Sequence, residues 1–241
     1  MARKPARATA RRSTPEAATT PTGDVPQRHR IIEALLELLA EQPIERIGLA
    51  AVATRAGVSL ADLRGEFGST LAIVAAHVKE IDRQVLAGGD ADMADEPPRE
   101  RLFDVLMRRL ETMVPHRAAI ASLMRSARRN PPLAFALNGL AVRSQQWMLT
   151  AADISASGPR GMVRAQGLAV LFARVLQTFI DDEDDPSLAR TMAALDRELA
   201  RGQRFISMLE GACRLAPSRI FGRRSRRRDR AEHGGDEPVA A

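Results

Sequence analysis

Apolar positions recur along most of this chain at spacings of three, four and seven, the period of one helix face. Ile31, Ile32, Leu35, Leu38 and Leu39 predict a first helix over about 27–41, and the residue before Pro43 ends it. Leu49, Val52 and Ala53 predict a short helix over 49–56, and Ser59 opens another that ends near Phe67-Gly68. Ser69 caps a longer helix to about Ala87, with Leu71, Val74, Val78, Ile81 and Val85 on one face. After a loop at 88–98, the next helix runs to Val114 with Leu102, Phe103, Leu106, Leu110 and Met113 inward. Pro115 is expected at the first helical position of the following one, to about Arg129. Pro131-Pro132 opens a helix carrying Leu133, Leu137, Leu140, Trp147 and Met148, and Ser157-Gly158-Pro159 reads as a turn. A strongly apolar helix over 161–180 and a last one from near Pro186, with Leu188, Met192, Leu195, Leu199 and Ile206, complete about nine.

The expected fold is all-α. A basic arm (1–26) lacking apolar periodicity precedes a three-helix head that the fourth helix joins to a body, with domains at about 27–89 and 97–213. An Arg-rich tail (216–241) follows, and both ends are expected to be disordered. Composition agrees: 45% of residues are apolar and only 3% aromatic, with no Tyr and one Trp, which disfavours a β-sandwich or barrel.

Charge changes the picture more. The net +6 suggests a nucleic-acid-binding surface. However, residues 1–12 alone carry +5 and residues 217–230 carry +6, so the remainder carries −5. Cys213 is the only cysteine, and His29, His77, His116 and His233 lack metal-ligand spacing, so neither an internal disulfide nor a metal site is expected. Asp181–Asp185 reads as a solvated acidic turn that suits a helix N-terminus, not a cation loop. No apolar run approaches the roughly 18 residues of a membrane span, and no secretory leader is visible. A cytoplasmic chain without cofactor is expected. No nucleophile–base pair or phosphate loop stands out, so catalysis is not expected.

The informative constellation is AGVS at 56–59, between two short helices. Gly57 takes a positive φ at little cost, Val58 packs beneath both helices, and Ser59 caps the helix that follows, with Asp62 three residues on. Phe67 is placed to close this small core against Leu35 and Val52. The result is a helix-turn-helix whose second helix faces a major groove.

Residues 28–88 resemble the N-terminal domain of the TetR family of bacterial transcriptional repressors. The resemblance rests on RHRIIEALLELLAEQ, on LAAVATRAGVSLADLRGEF and on GSTLAIVAAHV. It implies a homodimer on a palindromic operator in double-stranded DNA, with a small apolar ligand in the body. Dimerisation through helices at about 160–180 and 187–212 is implied too. The DNA-facing positions it implies are Arg28, Arg55, Ser59, Leu60, Ala61, Arg64, Ser69 and Thr70. The chain departs from the family at Gly48, Ala50, Arg64 and Thr70, where polar, aromatic or basic phosphate-contacting residues are usual. Leu60 and Ala61 offer only contacts to thymine methyl groups. The polar surface toward DNA is thin, and the basic arm is a candidate replacement for the missing phosphate contacts.

Residues 98–210 are also similar to the ubiquinone-biosynthesis accessory proteins. The similarity rests on RERLFDVLMRRLETMVPHRAAIASL, on Trp147-Met148-Leu149 and on DDEDDPSLARTMAALDREL. It implies an isoprenoid lipid in the body and no specific DNA binding, although no clear amphipathic membrane helix follows residue 210. On either resemblance the candidate pocket residues are Phe103, Met107, Leu110, Met113, Met124, Trp147, Met148 and Phe172. The same spacing also serves a plain core, and His116 is a further candidate polar group beside that pocket.

Overall fold

The computed structural model describes residues 26–89, 93, 95–182 and 187–215, with side chains only as far as residue 204. The basic arm, the Arg-rich tail, Cys213 and most of the acidic turn therefore lie outside the described residues or side chains. Among the described residues the elements are α1 (Gln27–Glu41), α2 (Leu49–Ala56), α3 (Leu60–Glu66), α4 (Thr70–Ala87), α5 (Pro98–Met113), α6 (Arg117–Arg129), α7 (Pro131–Ala151), α8 (Gly158–Asp181) and α9 (Ala189–Leu215). The described residues are all-α, with short 3-10 turns at Ile44–Arg46 and Val114–His116.

Two helix starts differ from the sequence expectation. Pro115 falls inside the 3-10 turn, and α6 begins at Arg117. The ring is compatible with either tight turn, so proline alone did not fix the boundary. Conversely, the expected turn Ser157-Gly158-Pro159 is already the beginning of α8, with Ser157 as N-cap and Pro159 in the first turn. Gly158 at φ +69° makes the entry, and Gly161 packs so closely on the Ala156 backbone that a Cβ would sit 2.1 Å from the carbonyl carbon.

Two apolar clusters organise the chain. The head cluster is built on Ile31, Leu35, Leu39, Val52, Leu63, Phe67 and Ile73, so Phe67 joins Leu35 and Val52 as expected. This cluster does not stop at the end of the head. Ala119 and Leu123 of α6 and Leu133, Leu137 and Leu140 of α7 pack onto it, where α6 lies against α1. The body cluster gathers Ile81 and Val85 of α4, Leu106 and Leu110 of α5, Met148 of α7, Phe172 and Phe179 of α8, and Leu195 of α9.

α8 corrects one further expectation. By length and composition it is apolar enough to cross a membrane. It nevertheless lies between α7 and α9, and its Ala165, Leu168, Phe172, Val175 and Phe179 are buried in the body. One face of α8 therefore belongs to the core of the body, while Met162, Val163 and Val170 are exposed on the other.

Candidate nucleic-acid interface and the core of the body

The turn between α2 and α3 is built as its residues require. Gly57 adopts φ +62°, ψ +41°, and its N–H is donated to the Thr54 carbonyl at 3.2 Å while that of Val58 reaches Ala53 at 3.0 Å. The capping box is complete. The Asp62 N–H donates to Ser59 Oγ at 3.0 Å, and the Ser59 hydroxyl and backbone N–H donate to the Asp62 carboxylate at 2.6 and 3.3 Å. Leu63 and Phe67 point into the core, which turns the other face of α3 outward. Ser69 caps α4 by accepting from the Ala72 N–H at 3.1 Å.

The candidate DNA-facing residues fall into two groups. Leu60, Ala61, Arg64, Ser59 and Ser69 are exposed around α3 and the start of α4, with Thr70 half-buried beside them. Arg28 and Arg55 have partners instead. Arg28 donates to Glu66 at 3.1 Å and lies 4.5 Å over the Phe67 ring, tying α1 to the end of α3. Arg55 forks onto Glu41 at 2.9 and 3.0 Å and reaches Glu37 at 3.3 Å, fastening α2 to α1. Hydrogen bonding from Arg55 holds the Glu41 carboxyl below its ordinary pKa. α3 itself carries Asp62 and Glu66 against Arg64, so the exposed helix is mildly acidic.

An open cleft of about 590 Å³ separates the end of α1 from α6 and the start of α7. It is bridged by Ser122 Oγ donating to the Gln42 carbonyl at 3.2 Å and Ser126 Oγ donating to Glu45 at 2.9 Å. The Glu45 carboxyl is held below its ordinary pKa, first by a backbone N–H and then by Ser126.

In the body, Met107, Leu110, Met113, Met148 and Phe172 come together as buried residues, with Phe103 and Met124 partly buried against them. Trp147 does not join them. It is 53% exposed on the outer face of α7, beside a shallow groove formed with Thr150, Ile154 and Ser157.

A polar set missed by the sequence reading sits among these apolar residues. Arg109 of α5 and Asp82 of α4 form a buried ion pair, and the Ser144 hydroxyl of α7 donates to the same Asp82 oxygen at 2.6 Å. The Arg109 guanidinium lies 5.6 Å from the Phe172 ring, and its Nη1 is 4.0 Å from Met148 Sδ. Arg109 Nε and Gln145 Oε1 are buried without hydrogen-bond partners among the described residues. The signal was present in the sequence: position 109 lies on the inward stripe of Leu102, Leu106 and Met113, and position 82 beside Ile81 and Val85.

At the α4–α6 corner, the His77 and His116 rings meet edge to face, 4.7 Å between centroids. His77 is pushed down to about 4, by burial first and then by the neighbouring His116 and Arg109. Arg117 stacks 4.5 Å over Phe179 and donates to the Asp182 carbonyl at 2.6 Å. Asp182, buried, accepts from the Thr191 backbone N–H at 3.1 Å and hydroxyl at 2.9 Å, near the start of α9.

These features define a class: a three-helix helix-turn-helix head carried by one long helix onto an all-helical body. No protein-family model matches the sequence, and no curated protein does. The solved structures are more informative. A TetR transcriptional regulator from Nitrosomonas europaea is 20% identical, with a TM-score of 0.59 over 75% of this chain and 99% of that one. A TetR transcriptional regulator from Rhodococcus sp. RHA1 is 24% identical, with a TM-score of 0.52 over 73% of this chain and 95% of that one. The chain has the fold of the TetR regulators, head and body together.

Proposed function

We propose that the protein is a transcriptional regulator of TetR type, binding a palindromic site as a homodimer and responding to a small ligand in its body. The observation that carries this reading is the Gly57 turn with its complete Ser59–Asp62 box. It holds α3 outward from a closed head, as major-groove reading requires. Dimerisation is supported by α8, where Val163, Gly167 and Val170 form an exposed stripe at i, i+4, i+7, and by exposed Met192 on neighbouring α9. Small and apolar residues in such a stripe allow close helix–helix packing. A ligand acts by preferring one spacing of the two heads over the other.

Because Arg28 and Arg55 are engaged within the head, phosphate contact falls to Arg64 and to the basic arm at residues 1–12. Selection of bound duplexes from a random pool by the full-length protein tests the reading. Recovery of a palindrome bound well above random sequence is expected, and sequence-indifferent, salt-sensitive binding overturns it. Deleting residues 2–12 is expected to weaken binding and flatten its salt dependence, and an unchanged salt slope removes the arm from the interface.

One observation favours a second reading, a lipid-binding accessory protein without specific DNA binding: α3 presents Asp62 and Glu66 where an operator reader gains from positive charge. Copurification of an isoprenoid lipid together with a failed duplex selection would establish it.

A further inference from the structure

We propose that the body binds apolar monocarboxylates, with the ligand's carboxylate taken side-on by Arg109 and its hydrocarbon by the surrounding methionines and Phe172. This rests on the ligand-binding part of the reading above and names the ligand's chemistry. A guanidinium has two edges able to hold a carboxylate. The hydrogen bonds of Arg109, to Asp82 and Met148, both leave from Nη1. The Nε side of the fork is unspent, and Nε is a buried donor with no acceptor among the described residues. A buried donor without an acceptor is costly. Arg30 and Arg117 also carry such an Nε, but of the three only Arg109 is buried as a whole residue. The Nε–Nη2 edge matches the two oxygens of a carboxylate in the bidentate geometry that arginine favours.

The surroundings select the rest of the molecule. Arg109 is only 5% exposed, between Met148 of α7 and Phe172 of α8, with Met107, Leu110 and Met113 on its own helix. These walls offer hydrocarbon and unbranched thioethers that shift to admit a chain or ring. A neutral alcohol gains the same apolar contact but uses one donor of the edge, so charge and shape together favour the acid.

Coupling follows from sharing. Asp82 belongs to α4, whose first turns pack on α1 in the head. A second carboxylate on the same guanidinium stands near Asp82 in a water-poor core, where like charges repel strongly. The ligand thereby loosens the one buried ion pair that fixes α4 to α5.

Trp147 lies on the outer face of α7, away from Arg109, so binding is read without DNA by titration calorimetry. The full-length protein is titrated with octanoate, decanoate, benzoate and phenylacetate, each beside the alcohol of the same skeleton. At least one acid is expected to bind on the order of tenfold more tightly than its alcohol. Asp82→Asn, which keeps the shape and removes the competing charge, is expected to widen that gap, and Arg109→Gln to abolish it. A loosened core would admit acid and alcohol alike, so a wider gap in D82N cannot come from damage to the fold, and D82N decides the matter even if R109Q does not fold. No acid preferred over its alcohol in either the native protein or D82N overturns the proposal, as does a gap that D82N leaves unchanged. A failed duplex selection would leave this inference standing and remove only the regulator reading.

Discussion

The head and the body solve the same packing problem differently. Every buried residue between positions 27 and 67 is apolar, and polar side chains there serve caps, surface ion pairs and contacts such as that of Glu45 with Ser126 of α6. The body instead buries Asp82, Arg109, Ser144 and Gln145 among Leu106, Leu110, Met148 and Phe172. An apolar core fixes the geometry of its helices by shape alone. A buried ion pair often gives no more stability than hydrocarbon of equal volume. The difference suggests a head selected for rigidity and a body that retains a polar group for use.

Several experiments would break or sharpen this contrast. Leu35→Ala in the head, at a position with no exposure, is expected to cost about 3–5 kcal/mol in chemical denaturation. A loss under 1 kcal/mol would mean the head core is loose. Arg109→Leu in the body is expected to cost about 3 kcal/mol because it strands Asp82, while adding Asp82→Leu recovers most of that loss. A double variant as unstable as the single one would make the pair structural, and the contrast would fall.

Acid sharpens it further. His77 is depressed to about 4 in the folded body, below its unfolded value near 6.5. Between those values the unfolded chain binds the extra proton, so stability is full above about pH 6.5 and falls as pH is lowered toward 4. Denaturation midpoints measured from pH 7 to 4 should decline over that window by at most about 1.4 kcal/mol per pH unit from this group, and His77→Phe should flatten the decline. The smallest effect is expected at Ser59→Ala, about 1 kcal/mol from the lost cap of α3. A fall in DNA affinity larger than that loss of stability would show that the cap orients the reading helix.

Much of the head was legible because its signals are local. Gly57, Ser59 with Asp62, and Ser69 each act within four residues, and all three appear where they were read. Periodicity likewise placed the buried face of α5, with Leu102, Leu106, Leu110 and Met113 inward. The rest depended on contacts distant in sequence. Arg28 and Arg55 are exposed, as DNA-facing candidates must be, but no local pattern announces their partners Glu66 and Glu41, 38 and 14 residues away. Asp82 and Arg109 pair across 27 residues, which no window of helical period connects. The resemblances and helical spacing make Trp147 a pocket candidate, but position 147 follows Phe135, Gly139 and Arg143 on the outer stripe of α7. The Val114–His116 turn shows the remaining limit: proline permits a helix start without choosing between tight turns.

The shared packing of α1 with α6 and α7 has a consequence for how the chain can be divided. Cutting in the loop after residue 89 would strip Ala119, Leu123, Leu133, Leu137 and Leu140 from the surface they cover. A fragment ending there would present raw hydrocarbon along α1, and should aggregate or melt far below the whole chain. The head is therefore not an exchangeable cartridge. Intact protein should lose both regions in one cooperative transition, and a graft of this head onto a foreign body would need those five residues to come with it.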